Sequence, residues 1–131
     1  AAKNTGLTVV ACVVFDSGPN KGCTMLGVTP ELAAGRLSAG GADVVGATCG
    51  RGCGCDVACC RRMRAVSSKP RGRKANAGIP EVIDGEVVYH TTPDQFAAHG
   101  PALLEAGAQF IGGCCGTSPA FIAALRREIP S

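Results

Sequence analysis

The chain has 131 residues, of which 46% are hydrophobic and 18% charged, and its formal net charge is +3. This composition suits one globular domain over residues 1–131 and excludes a disordered chain. Aromatic residues make up only 4% and tryptophan is absent, so few rings can stack on bases and we expect no nucleic-acid partner. The chain contains no run of about 18 apolar residues, so we predict no membrane span. The first residues lack the apolar stretch of a secretory signal.

Cysteine is the unusual component, with nine copies in the chain. An odd number cannot be fully paired within one chain. The surrounding sequence is rich in Val, Ile and Ala and alternates strand-like with helix-like segments, unlike a small secreted scaffold. We therefore predict a reducing, cytoplasmic location, where clustered cysteines more often bind metal or act in catalysis than form disulfides.

Two strand-then-helix units are predicted first. Residues 8–15 form a continuous apolar, β-branched run, which is typical of a strand buried on both faces. Thr29 and Pro30 predict the start of a helix that runs to about residue 39. Residues 43–47 predict a second strand, and a helix capped by Asp56 follows it to residue 66.

Two further units are predicted in the rest of the chain. A third strand is expected at 72–75, although its basic residues are poorly suited to a buried strand. Residues 82–88 predict a hairpin across an Asp-Gly turn. A capping box at 92–95 begins a helix that ends at Gly107. A fourth strand at 108–111 precedes a last helix, whose apolar side chains recur at helical spacing: Phe121, Ile122, Leu125 and Ile129.

Two segments of the chain repeat each other, namely 41–50 (GADVVGATCG) and 107–116 (GAQFIGGCCG). Repeated strand–helix units predict an α/β fold with a parallel sheet, whose functional loops leave the carboxyl ends of the strands. Four units make half of a TIM (β/α)8 barrel, which typically needs about 250 residues. The open sheet edges predict completion by another chain or by a homodimer. A compact four-stranded fold is the alternative.

Three cysteines stand in the predicted strand-end loops: Cys49, Cys114 and Cys115. A catalytic zinc takes three protein ligands and keeps one position open. Gly113 and Gly116 let the backbone turn sharply, so that the adjacent pair can face one ion. An all-sulfur site suits a substrate thiol, because coordination removes its proton and leaves an electron-rich sulfur that can attack a methyl group.

These motifs resemble one family. Residues 112–119 (GGCCGTSP) look like the signature that closes the homocysteine S-methyltransferase barrel. Residues 41–50 resemble the other cysteine segment of that family, and 76–80 (NAGIP) its Asn-Ala-Gly loop. Residues 15–18 and 24–31 resemble corrinoid-linked members in particular. The resemblance covers nearly the whole chain, but only the C-terminal half of the family barrel.

The resemblance implies a zinc site at Cys49, Cys114 and Cys115, with Asn76 as a catalytic and substrate-binding residue beside the open position. The implied acceptor is a small-molecule thiol, usually homocysteine, which gives methionine. The methyl donor varies in the family among methylated corrinoid (cobalamin), betaine, S-methylmethionine and S-adenosylmethionine, so a corrinoid protein is a further expected partner. At the end of the first strand, Asp16 is a further candidate catalytic and substrate-binding residue, which we expect to orient a substrate amino group.

Other interpretations remain open. Cys49, Cys53, Cys55 and Cys59 could hold a structural zinc or an iron–sulfur cluster, although their spacing matches no common motif. The chain could also be a non-catalytic half that binds its complement. The arginines of the second helix form either a solvated face or a docking site for an acidic partner such as a corrinoid protein: Arg61, Arg62 and Arg64. Structural or surface roles are expected for the remaining candidates: Cys12, Cys23, Cys59, Cys60, His90 and His99.

Overall fold

The structure is a computed structural model that describes residues 1–50 and 54–129. Short 3-10 helices cover Ala2–Thr5 and Pro19–Lys21. The other elements, in chain order, are β1 (Val10–Val13), α1 (Pro30–Ala39), β2 (Val44–Thr48), α2 (Gly54–Arg64), β3 (Arg71–Ala75), β4 (Glu81–Ile83), β5 (Glu86–Val88), α3 (Pro93–Ala97), α4 (Gly100–Glu105), β6 (Phe110–Gly113) and α5 (Pro119–Glu128). In the described ranges, no helix is both long and apolar enough to cross a bilayer.

The central sheet has four strands in the order β1-β2-β3-β6, and all three neighbouring pairs are parallel. The register aligns Cys12 with Gly46, Gly46 with Gly72, and Lys74 with Gly112. The predicted α/β fold with a parallel sheet is confirmed. Because the strands are parallel, the loops that follow β1, β2, β3 and β6 all leave the same edge of the sheet.

Helices cover one face of this sheet. Val45 of β2 packs in a buried cluster with Ala34 of α1 and Met63 of α2. On the same face, nearer to β6, Ala75 of β3 packs with Phe96 of α3 and Phe121 of α5. The opposite face is open, and it is on this face that a complete barrel would have its interior.

The prediction that the first strand is buried on both faces is wrong. β1 is only four residues long and forms an edge of the sheet, because it pairs with β2 alone. Val10 is 56% exposed. At the opposite edge, Phe110 of β6 is also 56% exposed. Val10 lies on the sheet face opposite the helices, which no other described element covers, so its apolar side chain stays exposed.

β3 forms where the third strand was predicted, and its basic residues have partners. Arg71 donates from Nε to the carbonyl of Gly107 at 2.7 Å and from Nη1 to the carbonyl of Lys69 at 2.8 Å. Arg73 is buried, with 4% of its surface exposed, and donates from Nη2 to the carbonyl of Cys49 at 2.9 Å. Backbone carbonyls thus accept hydrogen bonds from both guanidinium groups, which lowers the cost of removing them from water.

The helix predicted from the capping box to Gly107 is divided into α3 and α4. The capping box itself is present: Gln95 N donates to Thr92 Oγ1 at 3.3 Å, and Thr92 N donates to Gln95 Oε1 at 3.0 Å. Pro101 explains the division, because proline has no N–H to donate within a helix and restricts the residue before it. Gly107, with φ of 95°, lies beyond the end of α4 in the predicted left-handed conformation.

Other boundaries differ by a few residues. The prediction that Asp56 caps the second helix is wrong, because α2 already begins at Gly54. β2 and β6 extend beyond the predicted strand ends. The hairpin of β4 and β5 is confirmed, with Asp84 and Gly85 at φ of 51° and 84°, as a two-residue turn of type I′ requires.

An ion pair between α1 and α2 predicts an acid-dependent loss of stability. Arg62 donates to both carboxylate oxygens of Glu31, at 2.6 and 2.8 Å. These bonds lower the pKa of Glu31 from 4.5 to about 2. The stabilisation is therefore complete above pH 4.5 and is lost as the pH falls towards 2. Because both side chains are partly exposed, we expect Glu31→Gln to cost only about 0.5–1 kcal/mol at pH 7.

Urea unfolding at pH 7 and at successively lower pH measures this difference. The difference in free energy of unfolding between wild type and Glu31→Gln should become smaller below pH 4.5. The control is Glu86→Gln, in the exposed hairpin, which should change the free energy of unfolding little at any pH. A gap that stays constant between pH 7 and pH 2 would contradict the assignment.

Candidate metal centre

The predicted site residues follow the carboxyl ends of neighbouring strands. Cys49 comes directly after β2, Asn76 after β3, and Cys114 with Cys115 after β6. Backbone hydrogen bonds extend the sheet into these loops: Cys49 N donates to the carbonyl of Lys74 at 2.9 Å, and Cys114 N donates to the carbonyl of the last residue of β3 at 2.7 Å. The sheet therefore fixes where both cysteine loops begin.

The three thiols, distant in sequence, converge. Cys49 Sγ lies 3.0 Å from Cys114 Sγ and 3.8 Å from Cys115 Sγ, and the adjacent pair is 3.9 Å apart. Zinc–sulfur bonds of about 2.3 Å place two sulfurs of a tetrahedral site about 3.8 Å apart. Two of the three separations already match, and the third needs to open by roughly 0.8 Å. All three cysteines are free thiols, so the donor set fits a zinc ion.

The hydrogen bond between Cys49 and Cys114 shifts the pKa values of these two thiols in opposite directions. It is the main cause that raises the pKa of Cys49 to about 11. It is also the main cause that lowers the pKa of Cys114 to about 7, and Thr48 Oγ1 contributes by donating to Cys114 Sγ at 3.7 Å. Of the two thiols, Cys114 therefore ionises more readily.

The backbone of the cysteine loops takes left-handed conformations. Cys49 has φ of 54° and Gly50 has φ of 88°; such a φ is uncommon for any residue except glycine. Gly116 has φ of 76°, and a Cβ at this position would overlap the ring of Tyr89. The ring of Tyr89 therefore lies directly against the loop that carries Cys115.

Asn76 lies between the two cysteine loops. Its Nδ2 donates to the carbonyl of Gly50 at 2.8 Å, and the N–H of the next residue, Ala77, donates to the carbonyl of Cys115 at 2.9 Å. The side chain is buried, and Oδ1 has no hydrogen-bond partner in the structure. Buried polar atoms are usually satisfied, so an unpaired acceptor next to the thiol loops is consistent with a site for a ligand.

Asp16 also follows a strand, β1, at the same edge of the sheet. It is exposed, accepts a hydrogen bond from Ser17 Oγ at 2.9 Å, and lines an apolar groove of about 680 Å³ with residues such as Met25 and Arg36. No hydrogen bond joins it to the cysteine cluster in the described ranges. Its predicted contact with a substrate amino group remains a prediction.

The alternative cluster of Cys49, Cys53, Cys55 and Cys59 has no support in the described residues. The thiol of Cys49 contacts Cys114 and Cys115 instead, and Cys59 is buried in an apolar cluster with Phe15 and Ala33. Cys53 and the side chain of Cys55 lie outside the described part of the chain.

The arginines of α2 do not form one free face. Arg62 binds Glu31, and Arg64 donates to the carbonyl of Glu105 at 3.4 Å, while Arg61 is exposed. The expectation of a uniformly solvated or partner-binding face is therefore wrong for Arg62, whose ion pair joins α1 to α2. The two histidines are exposed, as predicted, and His90 pairs with Glu81 at 2.9 Å.

Three residues that contact the cysteine loops were not assigned a role from the sequence: Thr48, Arg73 and Tyr89. Thr48 directly precedes Cys49, and this adjacency was the one signal in the sequence. Arg73 and Tyr89 reach the loops from other segments, so only the fold reveals their contacts.

The geometry agrees with comparisons to known proteins. The model of the homocysteine S-methyltransferase family matches residues 1–129, and the chain belongs to this family. No curated protein matches the sequence.

Solved structures of the Escherichia coli homocysteine methyltransferase MmuM have the same fold. The metallated form matches with a TM-score of 0.70 and 22% identity over 98% of this chain and 38% of that chain. The apo form matches with a TM-score of 0.62 and 24% identity over 81% of this chain and 35% of the MmuM chain. The oxidized form matches with a TM-score of 0.60 and 26% identity over 79% of this chain and 31% of the MmuM chain. The chain thus spans less than two fifths of the MmuM chain, as a partial barrel would.

Proposed function

We propose that this protein transfers a methyl group to a thiol at a zinc centre held by Cys49, Cys114 and Cys115, with homocysteine as the acceptor and methionine as the product. The observation that carries the proposal is the convergence of these three thiols at the carboxyl edge of the sheet. Family membership supports the reaction class, and the sulfur separations support the metal.

The residues divide the work of such a site. Bound zinc would lower the pKa of an incoming thiol, so that it reacts as a thiolate with a methyl group. The three cysteines supply thiolates and leave the fourth position of a tetrahedral site for the substrate. Asn76, whose Oδ1 is buried and unpaired, is proposed to lie beside that position and to accept a hydrogen bond from the substrate. We retain Asp16 as the proposed partner of the substrate amino group.

The methyl donor and the remaining partners are also proposals. A methylated corrinoid (cobalamin), presented by a corrinoid protein, is one candidate donor, with the other donors of the family as alternatives. The free thiols of the described cysteines suit a reducing compartment such as the cytoplasm.

We further propose that a complementary barrel half covers the open face, supplied by another segment, another chain or a second copy. The two exposed sheet edges support this proposal, because unpaired strands readily accept a further strand. Sedimentation of the purified protein, alone and with a candidate first-half chain, measures whether a larger species forms.

A methyl-transfer assay tests the proposed reaction. Zinc-loaded protein, with its complement, is mixed with homocysteine and separately with methylcobalamin, S-methylmethionine, S-adenosylmethionine or betaine, and methionine is measured by mass spectrometry. We expect one donor to support methionine formation by wild type and not by Cys115→Ser. Equal methionine formation by the Cys115→Ser variant would refute the proposed site.

A further inference from the structure

Arg73 is a buried arginine in the middle of β3. In the sheet register it lies between Ala47 and Ile111. Buried arginine is rare unless its charge and donors are matched. One of its donors, Nη2, binds the carbonyl of Cys49 at 2.9 Å. Arg73 is not part of the three-thiol motif, yet its side chain contacts the backbone of Cys49, one of the candidate ligands.

The contact falls on the ligand with the least favourable backbone conformation. Cys49 has φ of 54°, a region that L-residues other than Asn and Asp seldom occupy without support from their surroundings. Its N–H is held by the carbonyl of Lys74 at 2.9 Å, a backbone bond that any side chain at position 74 would allow. Its carbonyl, by contrast, is held by the side chain of Arg73, so this half of the support depends on the sequence.

We propose that Arg73 is a positioning residue of the metal centre: its guanidinium, bound to the carbonyl of Cys49, holds this residue in the left-handed conformation from which its thiol reaches the cluster. This inference rests on the proposed zinc site and extends it to a residue that is not one of the proposed ligands.

Metal affinity and cobalt spectra test this role. Zinc affinity is measured by competition with a chromophoric chelator for wild type, Arg73→Met and Arg73→Lys. We expect Arg73→Met to weaken zinc binding by about 10- to 100-fold, the range for outer-shell partners of metal ligands. Arg73→Lys keeps the charge but lacks the planar guanidinium, so its zinc affinity should lie between those of wild type and Arg73→Met. The thiolate-to-cobalt absorption of Arg73→Met should weaken towards that of Cys49→Ser.

Arg71→Met is the matched control. Arg71 belongs to the same strand and also binds carbonyls, but at the amino end, away from the cysteine loops. Its replacement should leave zinc affinity within about twofold of wild type, because the outer-shell effect is local to the ligands. Circular dichroism confirms that each variant is folded. If Arg73→Met does not fold, Arg73→Lys is compared with Arg71→Lys, and only the former should bind zinc more weakly.

The outcomes separate this inference from the proposed function. A folded Arg73→Met protein with wild-type affinity and spectrum would overturn the inference while leaving the zinc site intact. An equal loss in the variants of Arg71 and Arg73 would overturn it as well, since the effect would then be general destabilisation. Failure of the wild type to bind either metal would refute the proposed centre, and the inference with it.

Discussion

Replacing Cys114 by serine should abolish stoichiometric zinc binding. The thiol of Cys114 is within 3.0 Å of Cys49 Sγ and 3.9 Å of Cys115 Sγ, so its loss leaves two sulfurs in place of three. A hydroxyl is a poor substitute for a thiolate, because zinc sites of this type are built from deprotonated sulfur ligands. We expect affinity to fall by more than about 100-fold, beyond the 10- to 100-fold that loss of an outer-shell partner causes.

Competition with a chelator under reducing conditions measures this loss, and Cys23→Ser is the matched control. Cys23 is a free thiol in the loop between β1 and α1, where its backbone pairs with Ser17. The control variant should bind one zinc as tightly as wild type. Retention of tight zinc by Cys114→Ser, or its loss in both variants, would argue that the ion is held elsewhere.

The variant Gly46→Ala should be strongly destabilised. Gly46 lies in the centre of β2, and a Cβ there would overlap the carbonyl oxygen of Gly72 in the adjacent strand and lie 3.1 Å from Cys12 Sγ. A backbone carbonyl cannot rotate away as a flexible side chain can, so β2 and β3 must move apart. Overpacking typically costs 1–3 kcal/mol, and we expect about 3 kcal/mol or more because the conflict is with backbone.

Urea unfolding compares this variant with Gly35→Ala in α1. The Cβ of Gly35→Ala would meet no atom within 4 Å, and alanine in a helix is favoured over glycine by about 0.5–1 kcal/mol. The control should therefore be slightly more stable than wild type. Because Cys49 and Asn76 follow the two strands that Gly46→Ala forces apart, that variant should also bind zinc more weakly. A stability within 1 kcal/mol of wild type would show that the strands can separate at little cost.

The sequence alone was sufficient to predict which thiols converge. In a parallel sheet, the loops after the strands share one edge, and the repeat of 41–50 in 107–116 assigned Cys49 and Cys114 to such loops. Membership of the family and the parallel sheet are likewise confirmed. These features depend on local patterns and on one topological rule, both of which a single sequence carries.

The features that sequence analysis missed depend on contacts between distant segments. Arg73 was expected to disfavour a buried strand, and the hydrogen bond from its Nη2 to the carbonyl of Cys49, a residue distant in sequence, helps to offset the cost of its burial. The exposure of Val10 arises because no described element covers its face of the sheet, which the apolar sequence of β1 does not reveal. The division between α3 and α4, by contrast, could have been predicted, since Pro101 disfavours a continuous helix.

The number of sulfurs around bound zinc tests the central claim most directly. X-ray absorption of the reduced, zinc-loaded protein should show three sulfur neighbours at about 2.3 Å, and the number should rise to four when homocysteine is added. A zinc ion with fewer than three sulfur neighbours, or one whose neighbours do not change with the added thiol, would contradict the account.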